Sequence, residues 1–261
     1  MLITGCGARA QNTPETTAPV IAEPVKAAPT EKAPDDMQLF LLIGQSNMAG
    51  RGKVEAQDAA TDAGIWMLDK EMNWVLAKDP IHFDKSVAGV GPGHQFARTL
   101  KAKEPAANIG LIPTAMGGSS LDQWKVGGKL YTNAVERARE AMKNGKLKGI
   151  LWHQGESDSK PEKIASYPTR FSTMIAQLRK DLGAENVPVV IGELVYSREK
   201  SAEFNKAVPT ISAAVPNSGW VSAEGLTDRG DKLHFSSEGA RTLGQRYAEK
   251  FLELEKAEKT K

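Results

Sequence analysis

The chain has 261 residues, of which 34 are Lys or Arg and 32 are Asp or Glu, giving a formal net charge of +2. So balanced a charge argues against a dedicated nucleic-acid binder, which carries a basic excess or stripe, and a composition 40% hydrophobic and 25% charged is that of an ordinary globular protein. A single cysteine, Cys6, excludes an internal disulfide and argues against a cysteine-based zinc site, and no apolar run approaches the roughly 18 residues of a membrane-spanning helix.

Residues 1–36 read as lying outside the fold. Proline recurs at Pro14, Pro19, Pro24, Pro29 and Pro34 among Ala, Thr and Glu, with no hydrophobic periodicity. Proline fixes φ and offers no amide donor, so this stretch is expected to be a disordered, extended, semi-rigid tether. Residues 37–261 are then long enough for one sizeable core and short for two.

Within 37–261, strands and helices alternate. Short continuous apolar runs at 38–43, 108–113, 149–152 and 187–195, with a weaker one at 219–221, have the pattern of strands buried on both faces. Helical spacing predicts helices over 94–103, 131–142, 161–182, 204–215 and 236–255, with Pro209 expected to kink or divide the fourth. Serial β–α alternation implies a parallel sheet with helices on both faces, and such sheets bind ligands beyond the carboxyl ends of their strands.

Four strand ends carry polar residues. After the first run comes Gly44-Gln45-Ser46-Asn47-Met48, in which Ser46 sits at a strand-to-helix turn, either as an exposed nucleophile or as a helix N-cap. This is not the G-x-S-x-G elbow, because Met48 stands at the last glycine's position. After the second run, Gly117-Gly118-Ser119-Ser120 is either a plain turn or a loop offering backbone N–H groups to an anion. After the third comes His153-Gln154-Gly155-Glu156-Ser157-Asp158, and before the last helix Asp231-Lys232-Leu233-His234. A serine nucleophile needs a base, and the base needs a carboxylate to fix its tautomer; Asp231 and His234, three residues apart, supply both on one short turn.

These blocks resemble those of SGNH hydrolases, and more narrowly of the sialate O-acetylesterase and carbohydrate esterase family six branch, over about residues 37–252. The resemblance implies an α/β fold of three α/β/α layers around a five-stranded parallel, flavodoxin-like sheet, with no metal or organic cofactor required. Carried over, it makes Ser46 the nucleophile, His234 the base and then acid, and Asp231 the orienting carboxylate, with Glu156 an alternative acid partner. The oxyanion hole is expected to comprise the Ser46 and Gly118 amides and the Gln154 side chain, so that Gln154→Ala should cripple turnover without unfolding the protein. The implied function is removal of O-acetyl groups from carbohydrate, either acetylated polysaccharide or sialic acid, through an acyl-serine; the alternative is a carbohydrate-binding module that kept the fold and lost turnover.

Other residues carry weaker expectations. Trp124 is either a sugar-stacking platform or a packed tryptophan, and Arg51 either a substrate contact or a solvated loop residue. His153 with Glu156 imitates a metal pair, but no second histidine pair accompanies it, so no metal is expected. Ile3-Thr4-Gly5-Cys6 resembles a bacterial lipobox, although only five residues precede Cys6. Either most of a signal peptide lies upstream and Cys6 is the lipidated anchor of a cell-envelope lipoprotein, or Cys6 is an incidental thiol. A lipid at Cys6 is the one membrane association expected.

Overall fold

The computed structural model describes residues 1–3 and 32–260. The chain divides into two units, Met1–Lys32 and Ala33–Lys261, and every element below belongs to the second. Cys6 and residues 4–31 of the expected tether lie outside the described residues, but its last residues are corrected to the fold: Ala33 packs against the core, and Asp35 and Asp36 accept hydrogen bonds from Asn144 and Asn108.

In chain order the elements are β1 (Met37–Gly44), α1 (Ser46–Ala49), α2 (Ala56–Ala59), β2 (Ile65–Leu68), β3 (Trp74–Leu76), α3 (Pro92–Lys103), β4 (Ile109–Pro113), α4 (Lys129–Ala141), β5 (Gly145–His153), α5 (Pro161–Asp181), β6 (Val189–Gly192), α6 (Ser201–Ala213), β7 (Ser218–Val221) and α7 (Ser237–Lys259). The sheet order is β3-β2-β4-β1-β5-β6-β7, and every pairing is parallel except β2 with β3. The five strands expected from sequence are β4-β1-β5-β6-β7, which is the flavodoxin-like order. The sheet has seven strands rather than five, because a β2–β3 hairpin adds to the β4 edge. Those strands are four and three residues long, too short to reveal a period.

Burial on both faces explains the continuous apolar run of β1. Leu39, Leu41 and Ile43 enter one core with α4, α5 and α6, while Phe40 and Leu42 enter the other with α3 and α7. Phe40, Phe96 and Phe251 meet edge to face, with centroids 4.9 to 6.1 Å apart, so the second core is keyed by rings from β1, α3 and α7. Pro209 lies inside α6 without dividing it, and Pro168 lies likewise inside α5. With β1 central and its two neighbours parallel to it, the loops after β1, β4 and β5 leave the sheet side by side.

Candidate active site

The chain after β1 turns sharply at Gly44, whose φ is 129°. A Cβ there would lie 2.1 Å from the His153 carbonyl oxygen, so only glycine lets the ends of β1 and β5 approach this closely. Ser46 then opens the one-turn α1, and its backbone N–H, like that of Gly118, donates to no acceptor among the described residues.

The loop before α7 is built from its own aspartates. Asp228 Oδ1 accepts the N–H groups of Gly230 and Lys232, and Asp231 Oδ1 accepts those of Leu233 and His234 at 2.9 and 2.8 Å. This leaves Asp231 Oδ2 for the ring, 2.8 Å from His234 Nδ1. The other ring nitrogen, Nε2, lies 3.1 Å from Ser46 Oγ, so an alcohol, an imidazole and a carboxylate stand in hydrogen-bonding sequence across 188 residues of chain. Burial opposes ionisation of Asp231, but its bonds to the His234 ring and to the two amides hold its carboxyl below the ordinary value.

Glu156 is elsewhere. Its Oε1 accepts from the Asn47 side-chain amide, and its Oε2 is buried with no partner among the described residues. Burial pushes its carboxyl up to about 7 against the Asn47 bond and the Arg198 charge. Asp231, and not Glu156, is therefore the carboxylate on the imidazole.

The Gly117-Gly118 loop is held over Ser46 by Met116, whose N–H donates to the Gly44 carbonyl, and by Asp84, which accepts the Gly117 N–H at 2.8 Å. Gly118 has φ 82°, in the region that favours glycine. Ser46, His234, Gly118, Gln45 and Glu156 line a cleft of roughly 430 Å³ at the carboxyl ends of the strands. A larger cavity, of about 600 Å³, lies at the opposite end of the sheet around Gly145, Leu147 and Pro188, remote from the serine.

Three expected site residues are placed differently. Gln154 is fully buried and does not line the cleft. Its Nε2 donates to Gln45 Oε1, the Ser119 carbonyl and Asp158 Oδ2, and its Oε1 accepts from the Tyr167 hydroxyl. Both amide hydrogens are committed inward, so the expectation of an oxyanion-stabilising Gln154 is corrected. Gln45 lines the cleft instead. Its Oε1 accepts from Gln154 Nε2, and among the described residues its Nε2 has no partner. Trp124 is 1% exposed, packs edge to face on Trp152 and donates its Nε1–H to Ser119 Oγ, so it stacks on no sugar. Arg51 does line the cleft, but its guanidinium pairs with Asp84 at 2.6 Å and donates to the Gly50 carbonyl. It is a buried structural cation rather than a solvated loop residue.

Sequence reasoning missed Gln45, Asp84 and Arg198. Gln45 sits inside the block read for its serine, and Asp84 lies in a stretch with no recognisable pattern. Arg198 follows β6 on the cleft wall and donates to the Glu156 carbonyl.

The chain is similar to known carbohydrate esterases. The family described as "Carbohydrate esterase, sialic acid-specific acetylesterase" matches over residues 36–253. A probable carbohydrate esterase of Arabidopsis thaliana is 33% identical over 236 residues, covering 82% of this chain and 90% of that protein. An Arabidopsis crystal structure superposes with a TM-score of 0.77 at 32% identity, covering 84% of this chain and 98% of that one. The crystal structure of NanS, at 21% identity, shares the fold with a TM-score of 0.72 over 86% of this chain and 99% of its own. The chain thus belongs to the sialic acid-specific acetylesterase family of carbohydrate esterases.

Proposed function

We propose that the chain is a serine esterase that removes O-acetyl groups from carbohydrate through an acyl-serine intermediate. The observation that carries this reading is the run Ser46 Oγ, His234 Nε2, His234 Nδ1, Asp231 Oδ2, with separations of 3.1 and 2.8 Å across its two hydrogen bonds. Ser46 attacks the ester carbonyl while His234 Nε2 takes its proton. Asp231 keeps the remaining ring proton on Nδ1 and stabilises the imidazolium. The negative charge that develops on the carbonyl oxygen meets the N–H groups of Ser46 and Gly118 and the Gln45 side chain. His234 then gives its proton to the departing sugar oxygen. Water, activated by the same imidazole, attacks the acetyl-serine, releasing acetate and restoring the Ser46 hydroxyl.

The charge at the cleft favours an acidic sugar. Arg51 is neutralised by Asp84, but Lys85 and Arg198, also on the cleft wall, pair with no carboxylate among the described residues. Two cations without an ion-pair partner beside a nucleophile would attract a substrate carboxylate. Location in the bacterial cell envelope through a lipid at Cys6 belongs to the same proposal, and mass spectrometry of the protein from its native source tests it.

The deciding experiment is hydrolysis of p-nitrophenyl acetate by the wild type and by Ser46→Ala. Activity lost in the variant, with an unchanged circular dichroism spectrum, is expected; an inert wild type that is correctly folded would overturn the reading. Acetate release from O-acetylated sialic acid against acetylated xylan then tests the preference for an acidic sugar.

A further inference from the structure

We propose that Asn47 is the positioning residue that sets the His234 imidazole against Ser46, and that Glu156 acts by holding Asn47 in register rather than by touching the histidine. This rests on the esterase reading above.

One amide group makes all the contacts involved. Asn47 Nδ2 donates to the Leu233 carbonyl at 3.0 Å, and Asn47 Oδ1 accepts the Phe235 N–H at 3.1 Å. These are the residues on either side of His234. Asn47 is itself the residue after Ser46, so a single side chain ties the nucleophile's turn to the backbone flanking the base. The second Nδ2 hydrogen goes to Glu156 Oε1.

The orientation of the amide is determined by its partners. A backbone carbonyl can only accept and a backbone N–H can only donate, so nitrogen must face Leu233 and oxygen must face Phe235, which leaves the second Nδ2 hydrogen for Glu156. Asn47 is 3% exposed and does not line the cleft, so it is not placed to touch substrate. Its neighbours Ser46 and His234 both line it.

The loop's other tie toward the serine turn is one step removed, with Arg229 donating to the Arg51 carbonyl at 2.9 Å. The aspartate bonds of residues 228–234 shape the loop internally, and the bridge between Asp228 and Phe235 closes it on itself. Asn47 is the side chain that ties the residues flanking His234 to the serine turn. Misplacing a reacting group by about 1 Å can cost on the order of a hundredfold in rate.

The test compares Asn47→Asp, Asn47→Ala and Glu156→Gln with the wild type. Asn47→Asp keeps the shape but can no longer donate to Leu233 or Glu156. It is expected to lower kcat about a hundredfold with little change in KM, and to slow labelling of Ser46 by a fluorophosphonate in parallel, since labelling needs the serine–histidine contact and no sugar. Asn47→Ala, which sets no new carboxylate against Glu156, covers the case in which Asn47→Asp fails to fold. Glu156→Gln still offers an oxygen to Asn47 and is expected to keep far more activity than either. In a His234→Ala background, Asn47→Ala should cost nothing further.

Folded Asn47 variants with near-normal kcat and labelling would overturn the proposal. So would an effect confined to KM, or a Glu156→Gln loss as large as that of Asn47→Asp. An inert wild type or an active Ser46→Ala would instead sink the esterase reading, so the two failures are distinguishable.

Discussion

The Asp84 carboxylate accepts the Gly117 N–H at 2.8 Å while pairing with the Arg51 guanidinium at 2.6 Å. Both charged side chains are almost completely buried. A buried pair of this kind contributes little net stability but is costly to break, because the survivor is left charged and dry. Asp84→Ala is therefore expected to destabilise the protein by about 3–5 kcal/mol in urea unfolding. It should also lower kcat, because the Gly117-Gly118 loop loses its anchor. A variant with normal stability would show that the pair is not buried in solution.

The two glutamines at the site should separate by phenotype. Gln45→Ala is expected to lower kcat by about 10²–10³, as for loss of one oxyanion donor. Gln154→Ala removes one hydrogen bond each from the buried Asp158, Gln45 and Tyr167, at about 0.5–1.5 kcal/mol apiece because each keeps another partner. Its main signature should be a lower unfolding midpoint. The reverse pattern would return the oxyanion role to Gln154.

Asp231→Asn removes the acceptor that fixes the histidine tautomer, and a loss of about 10⁴ in kcat is expected from steady-state kinetics. The wild-type carboxyl is held below its ordinary value, so its contribution to stability is complete above that ordinary value and is lost as pH falls through the lower folded one. The variant should therefore lose part of the acid-side slope of stability against pH.

Glu156 has the opposite sign. Burial pushes its carboxyl up to about 7, from an ordinary value of 4.5. The folded state then binds a proton more tightly than the unfolded chain, and stability falls as pH rises through the window between those values. The contribution amounts to about 3 kcal/mol across that window. Denaturant titrations at several pH values should show this decline in the wild type and not in Glu156→Gln.

Trp124→Ala should behave as a core substitution. Deleting a buried tryptophan typically costs about 3–5 kcal/mol, and the folded fraction should retain its KM for acetylated sugar. A raised KM at unchanged stability would restore a sugar-stacking role.

The strands that build the site were legible because each is buried on both faces and so reads as an unbroken apolar run. The β2–β3 hairpin was not legible, since Ile65–Leu68 and Trp74–Leu76 are too short for periodicity to show. Pro209 illustrates tertiary override: Val208 and Ile211 pack into the core on either side of it, and the helix continues despite the missing amide donor.

Residue identities near Ser46 and His234 were enough to nominate an alcohol, a base and an acid, because those chemistries are carried by few side chains and the acid and base were close in the chain. The sequence could not say which of two adjacent glutamine-bearing loops turns its amide to the cleft, nor that Asp84 and Asn47 serve as anchors. Direction depends on which hydrogen-bond partners surround a buried group, and those partners include residues 33 to 188 positions away. Local pattern thus determined the sheet and nominated the reactive groups. Only the packed structure decided which polar atoms are spent inside and which remain for substrate, because a buried amide must satisfy its partners wherever the fold brings them.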